Sequence, residues 1–144
     1  MRIMLDTNAI DKMYNDLDII VACNKYRYFI TSVQVEEIKQ IPSYMKEKKI
    51  QDFLAMSTIQ PVSLPVPAVV GVAKVGDCVP SDDSIYLDLL KETHSNIKDA
   101  MIGAAAKREA CAVITDDVDF SKRLNKYGVH TMTYNEFRDS LYSP

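Results

Sequence analysis

Glycine and proline are scarce in this 144-residue chain, with 4 Gly and 6 Pro. That argues against a disordered or low-complexity polypeptide. The 3 cysteines, Cys23, Cys78 and Cys111, are odd in number and widely spaced. They form neither a disulfide framework nor a zinc pattern, so reduced thiols in a cytoplasmic protein are expected. His94 and His130, the 2 histidines, lack the spacing of zinc ligands or a catalytic pair and are expected to be structural or surface residues. No apolar run approaches the roughly 18 residues of a membrane span. The opening Met1-Arg2-Ile3-Met4-Leu5 meets an acid at Asp6, too early for a signal peptide, so no leader is expected. A basic surplus is missing as well. The formal net charge of −3 does not mark a generic nucleic-acid binder. It does leave room for an enzyme whose clustered carboxylates are offset locally by bound divalent ions.

What is present is the composition of a globular domain, 47% hydrophobic and 26% charged. The length suits one domain over residues 1–144. A chain of this size buries about two thirds of its unfolded surface and needs no disulfide or structural metal to fold. Short apolar strands are expected at Arg2 to Leu5, Tyr26 to Thr31, Ala112 to Thr115 and Val129 to Thr133. Helices are expected at Asn15 to Lys25, after Thr31 or Ser32 as cap to about Ile41, at Ser43 to Met56, and at Ser84 to Glu92. Further helices are expected from about Ile97 to Ala110, at Phe120 to Tyr127 with Gly128 as C-cap signal, and at Tyr134 to Leu141. The Pro-punctuated stretch from Thr58 to Pro80 reads as a loop with a short strand or helical turn. Strands alternating with helices imply an α/β chain, a parallel sheet covered on both faces. Ligand sites of such folds lie at the carboxyl ends of the strands.

Acids fall where such a site would be. Asp6 ends the first strand, and Asp117 and Asp119 follow the Ala112 to Thr115 strand. Taken singly, each has an ordinary alternative as a helix cap: Asp6 or Thr7 for the next helix, Asn96 with Asp99 as a capping box, Asp119 before Phe120. Glu37 is harder to explain that way. It shares a helix face with Val33 and Ile41, whereas Glu36 points away with Gln40. A glutamate among apolar residues needs a partner or a cation. Asp99 heads a helix that is apolar on nearly every side and therefore buried. Carboxylates converging in one place repel each other without a compensating charge. Magnesium or manganese would provide it, as hard cations prefer oxygen ligands. Such a centre suits phosphodiester hydrolysis.

Four segments resemble the PIN-domain family, especially its VapC-type toxins. They are Met4-Leu5-Asp6-Thr7-Asn8, Thr31 to Ile38, Lys98 to Ala106, and Val113 to Phe120 with its Thr-x-Asp-x-Asp-Phe pattern. The resemblance implies a three-layer α/β/α sandwich around a parallel sheet. It implies a Mg2+- or Mn2+-dependent endoribonuclease with Asp6, Glu37, Asp99 and Asp117 as metal ligands. Asp119 would be an accessory acid at the metal, and Thr115 and Asn8 would orient ligands or water. RNA would be the substrate, a protein antitoxin a partner, and a homodimer the assembly. Lys46, Lys48, Lys49, Lys107, Arg108, Lys122, Arg123 and Lys126 are candidates for phosphate contacts, though solvated surface charge is their ordinary role.

Other classes fit less well. A receiver domain would need an acceptor Asp after a mid-chain apolar strand, where the sequence offers only the Pro-rich segment ending at Asp77. A haloacid-dehalogenase-like phosphatase would need an Asp at the place of Asn8. A nucleotide-binding fold would need a Gly-rich loop, which is missing. A PIN-like domain that has lost activity and serves as an RNA-binding module or scaffold is the remaining alternative.

Overall fold

The structure is a computed structural model that describes residues 1–22, 25–40, 42, 59–61, 64–65, 78–79 and 97–144. The helices expected at Ser43 to Met56 and Ser84 to Glu92 lie outside the described residues. In chain order the elements are β1 (Arg2–Leu5), α1 (Thr7–Lys12), a 3-10 turn (Met13–Asp16), α2 (Leu17–Ala22), β2 (Arg27–Ile30) and α3 (Ser32–Lys39). There follow β3 (Ile59–Pro61), β4 (Leu64–Pro65), β5 (Cys78–Val79), α4 (Ile97–Arg108), β6 (Ala112–Ile114), α5 (Val118–Lys126), β7 (Thr131–Met132) and α6 (Tyr134–Tyr142). Strands β3, β2, β1, β6 and β7 form one all-parallel sheet in that order. β4 and β5 pair separately, also in parallel, within the Pro-rich segment. Among the described residues, no helix is long and apolar enough to cross a membrane.

Strand side chains alternate between faces, and the two faces carry separate cores. Ile3, Leu5, Tyr28, Ile30, Ala112 and Ile114 face one layer, made by Ala9, Ile10, Met13 and Ile20 and by Tyr134, Phe137 and Leu141 of α6. Met4, Phe29 and Val113 face the other, made by Val33 of α3, the α4 stretch around Ala100 to Ala106, and Phe120 and Leu124 of α5. The result is the α/β/α sandwich that the sequence implied. α4 is buried on every side from Ala100 to Ala106, as its composition predicted. Its small residues let the helix lie close against the sheet.

Helix ends explain several boundaries. α5 closes with Gly128 at φ 79°, its N–H donating to Asn125 O at 3.0 Å while Val129 N–H donates to Leu124 O at 3.0 Å. Only glycine takes that backbone conformation without strain. α6 opens with a complete capping box. The Thr133 Oγ1 accepts the Glu136 N–H at 3.2 Å, and Glu136 Oε2 accepts the Thr133 N–H at 2.7 Å. α1 was not expected from sequence. It begins when Ala9 and Ile10 N–H donate to Asp6 O, so the chain turns to helix directly at the end of β1.

Candidate functional site

β1 is the centre of the sheet, and the chain leaves it and its neighbour β6 in opposite directions. After β1 it enters α1, whose Ala9 and Ile10 pack on the aromatic face. After β6 it enters α5, whose Phe120 and Leu124 pack on the other. Such a divergence opens a crevice at the carboxyl ends of the two strands. Three residues end their strands there: Thr31 after β2, Asp6 after β1 and Thr115 after β6. The register Met4 to Phe29 and Leu5 to Ile114 puts them level. Alternation puts all three on the face covered by α3, α4 and α5.

Thr115 joins two of the expected ligands. Its Oγ1 donates to Asp6 Oδ2 at 2.8 Å and accepts the Asp117 N–H at 3.1 Å. Thr115 is 1% exposed and Asp6 9%, so this bond is shielded from water. Asp117 is the N-cap of α5, its Oδ1 accepting the Phe120 N–H at 3.0 Å. The cap therefore falls to Asp117, and Asp119 sits exposed in the first turn. Asp116 turns the other way, as strand alternation requires. It pairs with Lys12 of α1, and its Oδ1 accepts the Tyr134 N–H at 3.0 Å. Burial pushes its carboxyl up, but the Lys12 and Tyr134 hydrogen bonds outweigh that and hold it below the ordinary value.

The remaining acids come from helices. Asp99 lies in the first turn of α4, 14% exposed, with Arg123 of α5 at 3.9 Å. Glu37 is carried by α3; its side chain lies outside the described residues. Asn8 is exposed on α1, beyond the protected bond. Among the described residues, no three His, Cys, Asp or Glu side chains form a group that could hold a metal ion. The Asp6–Thr115–Asp117 unit is closely tied, and Asp99 belongs to the same face. Its donors are oxygens of carboxylates, the set that a hard divalent cation takes. The residues therefore fit magnesium or manganese in kind.

No protein-family model and no curated protein sequence matches the chain. Solved structures do resemble it. VapBC-1 from nontypeable Haemophilus influenzae matches with a TM-score of 0.58 and 18% identity, over 94% of this chain and 99% of that one. A PilT N-terminus (PIN) domain protein from Sulfolobus solfataricus P2 matches with a TM-score of 0.59 and 16% identity, over 100% of this chain and 96% of that one. VapBC2 from Rickettsia felis, bound to a DNA fragment from its promoter, matches at 0.56 and 16%, over 92% and 98%. The chain has the PIN-domain fold.

Within this PIN fold, two residues near the acids escaped the sequence reading. Gln34, 0% exposed, spans the gap between β1 and α3: its Nε2 donates to Leu5 O and its Oε1 accepts the Thr31 N–H, both at 2.6 Å. Its partner Leu5 O is a backbone atom distant in sequence, to which no local pattern points. Arg123 counted among many basic residues, and only the fold brings it to Asp99. A cavity of about 280 Å³ opens at the opposite, amino-terminal edge of the sheet, lined by Met1, Lys107, Cys111 and His130 among others. It contains none of the acids named above. Burial raises the Cys111 thiol there, which disfavours a reactive thiolate.

Proposed function

We propose that this chain is a divalent-metal-dependent endoribonuclease of the cytoplasm, the toxin of a toxin–antitoxin pair or a related solitary PIN domain. The observation that carries the reading is the Thr115 hydroxyl, which ties Asp6 to the Asp117 backbone at the crevice mouth. Asp6, Glu37, Asp99 and Asp117 would hold the cation, with Asp119 accessory. When bound, Mg2+ or Mn2+ supplies a polarised phosphate oxygen and a more acidic water. Thr115 ties the Asp6 carboxylate to the Asp117 backbone before any cation arrives, which would limit reorganisation on binding. The buried Asp6 accepts the Thr115 hydroxyl through Oδ2, which would help orient its carboxylate toward a cation. Exposed Asp119 and Asn8 would meet RNA or its attacking water at the rim. RNA phosphates would add the dominant, salt-sensitive part of affinity. An antitoxin covering the acids and a second copy of the chain are the partners we infer. The VapBC structures support the first, since they are toxin–antitoxin folds of this shape.

Arg123 favours a second reading. A cation already beside Asp99 would let the fold persist without metal, as a non-catalytic RNA-binding scaffold requires. One experiment separates the two. Wild type and Asp6→Asn are compared on structured and single-stranded RNAs with Mg2+, with Mn2+ and with chelator. We expect metal-dependent cleavage that falls by about 10³-fold or more in Asp6→Asn, a loss of about 4 kcal/mol of transition-state stabilisation. Equal cleavage by the two proteins would sink the carboxylate mechanism. Metal-bound, folded wild type that cleaves no RNA would favour the scaffold.

A further inference from the structure

Thr31-Ser32-Val33-Gln34 opens α3 with the spacing of a capping box. Only half of the box forms. Gln34 Oε1 accepts the Thr31 N–H, but the Thr31 Oγ1 returns no bond to the helix. That hydroxyl is buried, the residue being 1% exposed, and it has no hydrogen-bond partner among the described residues. The neighbouring Ser32 Oγ is in the same condition. A buried hydroxyl without a partner is costly, and a native protein rarely keeps one unless a water, an ion or a ligand completes it.

Position says which. Thr31 and Thr115 flank Asp6 at one level and on one face of the sheet, one on β2 and one on β6. Thr115 is fully used, between Asp6 and Asp117. Its counterpart across Asp6 is idle. Gln34 meanwhile clamps the backbone on both sides of it, at Thr31 N–H and Leu5 O. The hydroxyl thus lies level with Asp6 with no bonding partner among the described residues.

We propose that the Thr31 hydroxyl is a positioning group of the acidic site, bonding to the water shell of a hydrated divalent cation held by Asp6 and its neighbours. This rests on the metal-centre reading above. Magnesium keeps several of its waters, and those waters, donating outward, need oriented acceptors such as a hydroxyl oxygen. An uncharged hydroxyl serves them without adding to the repulsion among the carboxylates.

The test uses the full chain without RNA, so it does not depend on cleavage. Mg2+ affinity is measured by calorimetry for wild type, Thr31→Val and Thr31→Ser, and thermal midpoints are measured in chelator. Thr31→Val keeps the shape and removes the hydroxyl. We expect it to bind Mg2+ about tenfold more weakly while its midpoint in chelator equals or exceeds that of wild type, because an unmet polar group is gone. Thr31→Ser restores the affinity. Unchanged Mg2+ affinity in Thr31→Val, with wild type binding Mg2+, overturns the proposal and leaves the metal centre standing. A fall in the chelator midpoint of Thr31→Val also overturns it, since the hydroxyl then serves the fold. Wild type that binds no Mg2+ overturns the metal centre itself, and this proposal with it.

Discussion

Two strand-to-helix junctions in this protein begin with the same local chemistry and end differently. At the start of α6, Thr133 and Glu136 satisfy each other's backbone N–H groups, and Asp116 takes the N–H of Tyr134. At the start of α3, the same threonine-first spacing closes on one side only, and the Thr31 hydroxyl is left over. The first junction borders the aromatic layer, where Asp116 turns to the face opposite Thr115. The second borders Asp6. A junction whose task is to hold a helix uses every donor and acceptor it has. On the reading proposed above, a junction beside the acidic crevice keeps one back, at a cost in stability. Local sequence sets the menu at both, and the neighbouring layer decides which bonds are made.

The strongest way to test that α6 belongs to the stability half is to remove its anchor. Phe137 is 0% exposed, with the Tyr26, Tyr134 and Tyr28 rings at 5.7, 5.9 and 6.4 Å. Phe137→Ala loses that packing and leaves a cavity. We expect a destabilisation of about 3–5 kcal/mol by urea unfolding, with Mg2+ affinity of the folded fraction unchanged. A loss under about 1 kcal/mol, outside the usual range for a buried ring, would mean α6 is not the fold's clamp.

A smaller change sharpens the contrast directly. Thr133→Ala removes the cap hydroxyl at the finished junction and is expected to cost about 1 kcal/mol. Thr31→Val at the unfinished one is expected to cost nothing in chelator. Opposite outcomes in the two midpoints separate a capping threonine from a ligand-directed one. If both variants fall by the same amount, the two junctions are equivalent and the contrast collapses.

Much of this arrangement was legible in the sequence, and the limits have physical causes. β1 was read at its observed bounds and β2 and β6 nearly so, because short apolar runs between turn residues admit little else. The all-round burial of α4 followed from its composition. The helix expected over Asn15 to Lys25 is shorter, Leu17–Ala22, with α1 and a 3-10 turn before it. Single-turn and two-turn elements carry too few periods for apolar spacing to declare them. At the site, the sequence put Asp6 and Thr115 side by side only through the family resemblance; the hydrogen bond between them spans 109 positions. The cap of α5 was sought at Asp119 and found at Asp117, one position before the helix rather than within it. Gln34 and Arg123 were missed because their partners, Leu5 O and Asp99, are distant in sequence and one is a backbone atom.

The finest test of the finished junction is acid. Asp116 is held below its ordinary value by Lys12 and by the Tyr134 N–H, after burial has opposed them. Glu136 is lowered too, by the Thr133 N–H and hydroxyl. A carboxyl with a depressed folded-state pKa contributes stability that is present above its unfolded value and lost as pH falls through the folded one. The junction should therefore weaken below about pH 4, the ordinary carboxylate range. Asp116→Asn keeps an oxygen for the Tyr134 N–H but gives up the charge that Lys12 meets. Both partners are partly exposed, so the effect is small, about 1–2 °C in the midpoint at neutral pH. The gap between wild type and Asp116→Asn should close as pH drops from 6 toward 3, while the dependence due to Glu136 remains in both. A gap that widens in acid would mean that Asp116 is protonated more readily when folded. The Lys12 and Tyr134 bonds would then not be what fixes it, and the finished junction would rest on Thr133 and Glu136 alone.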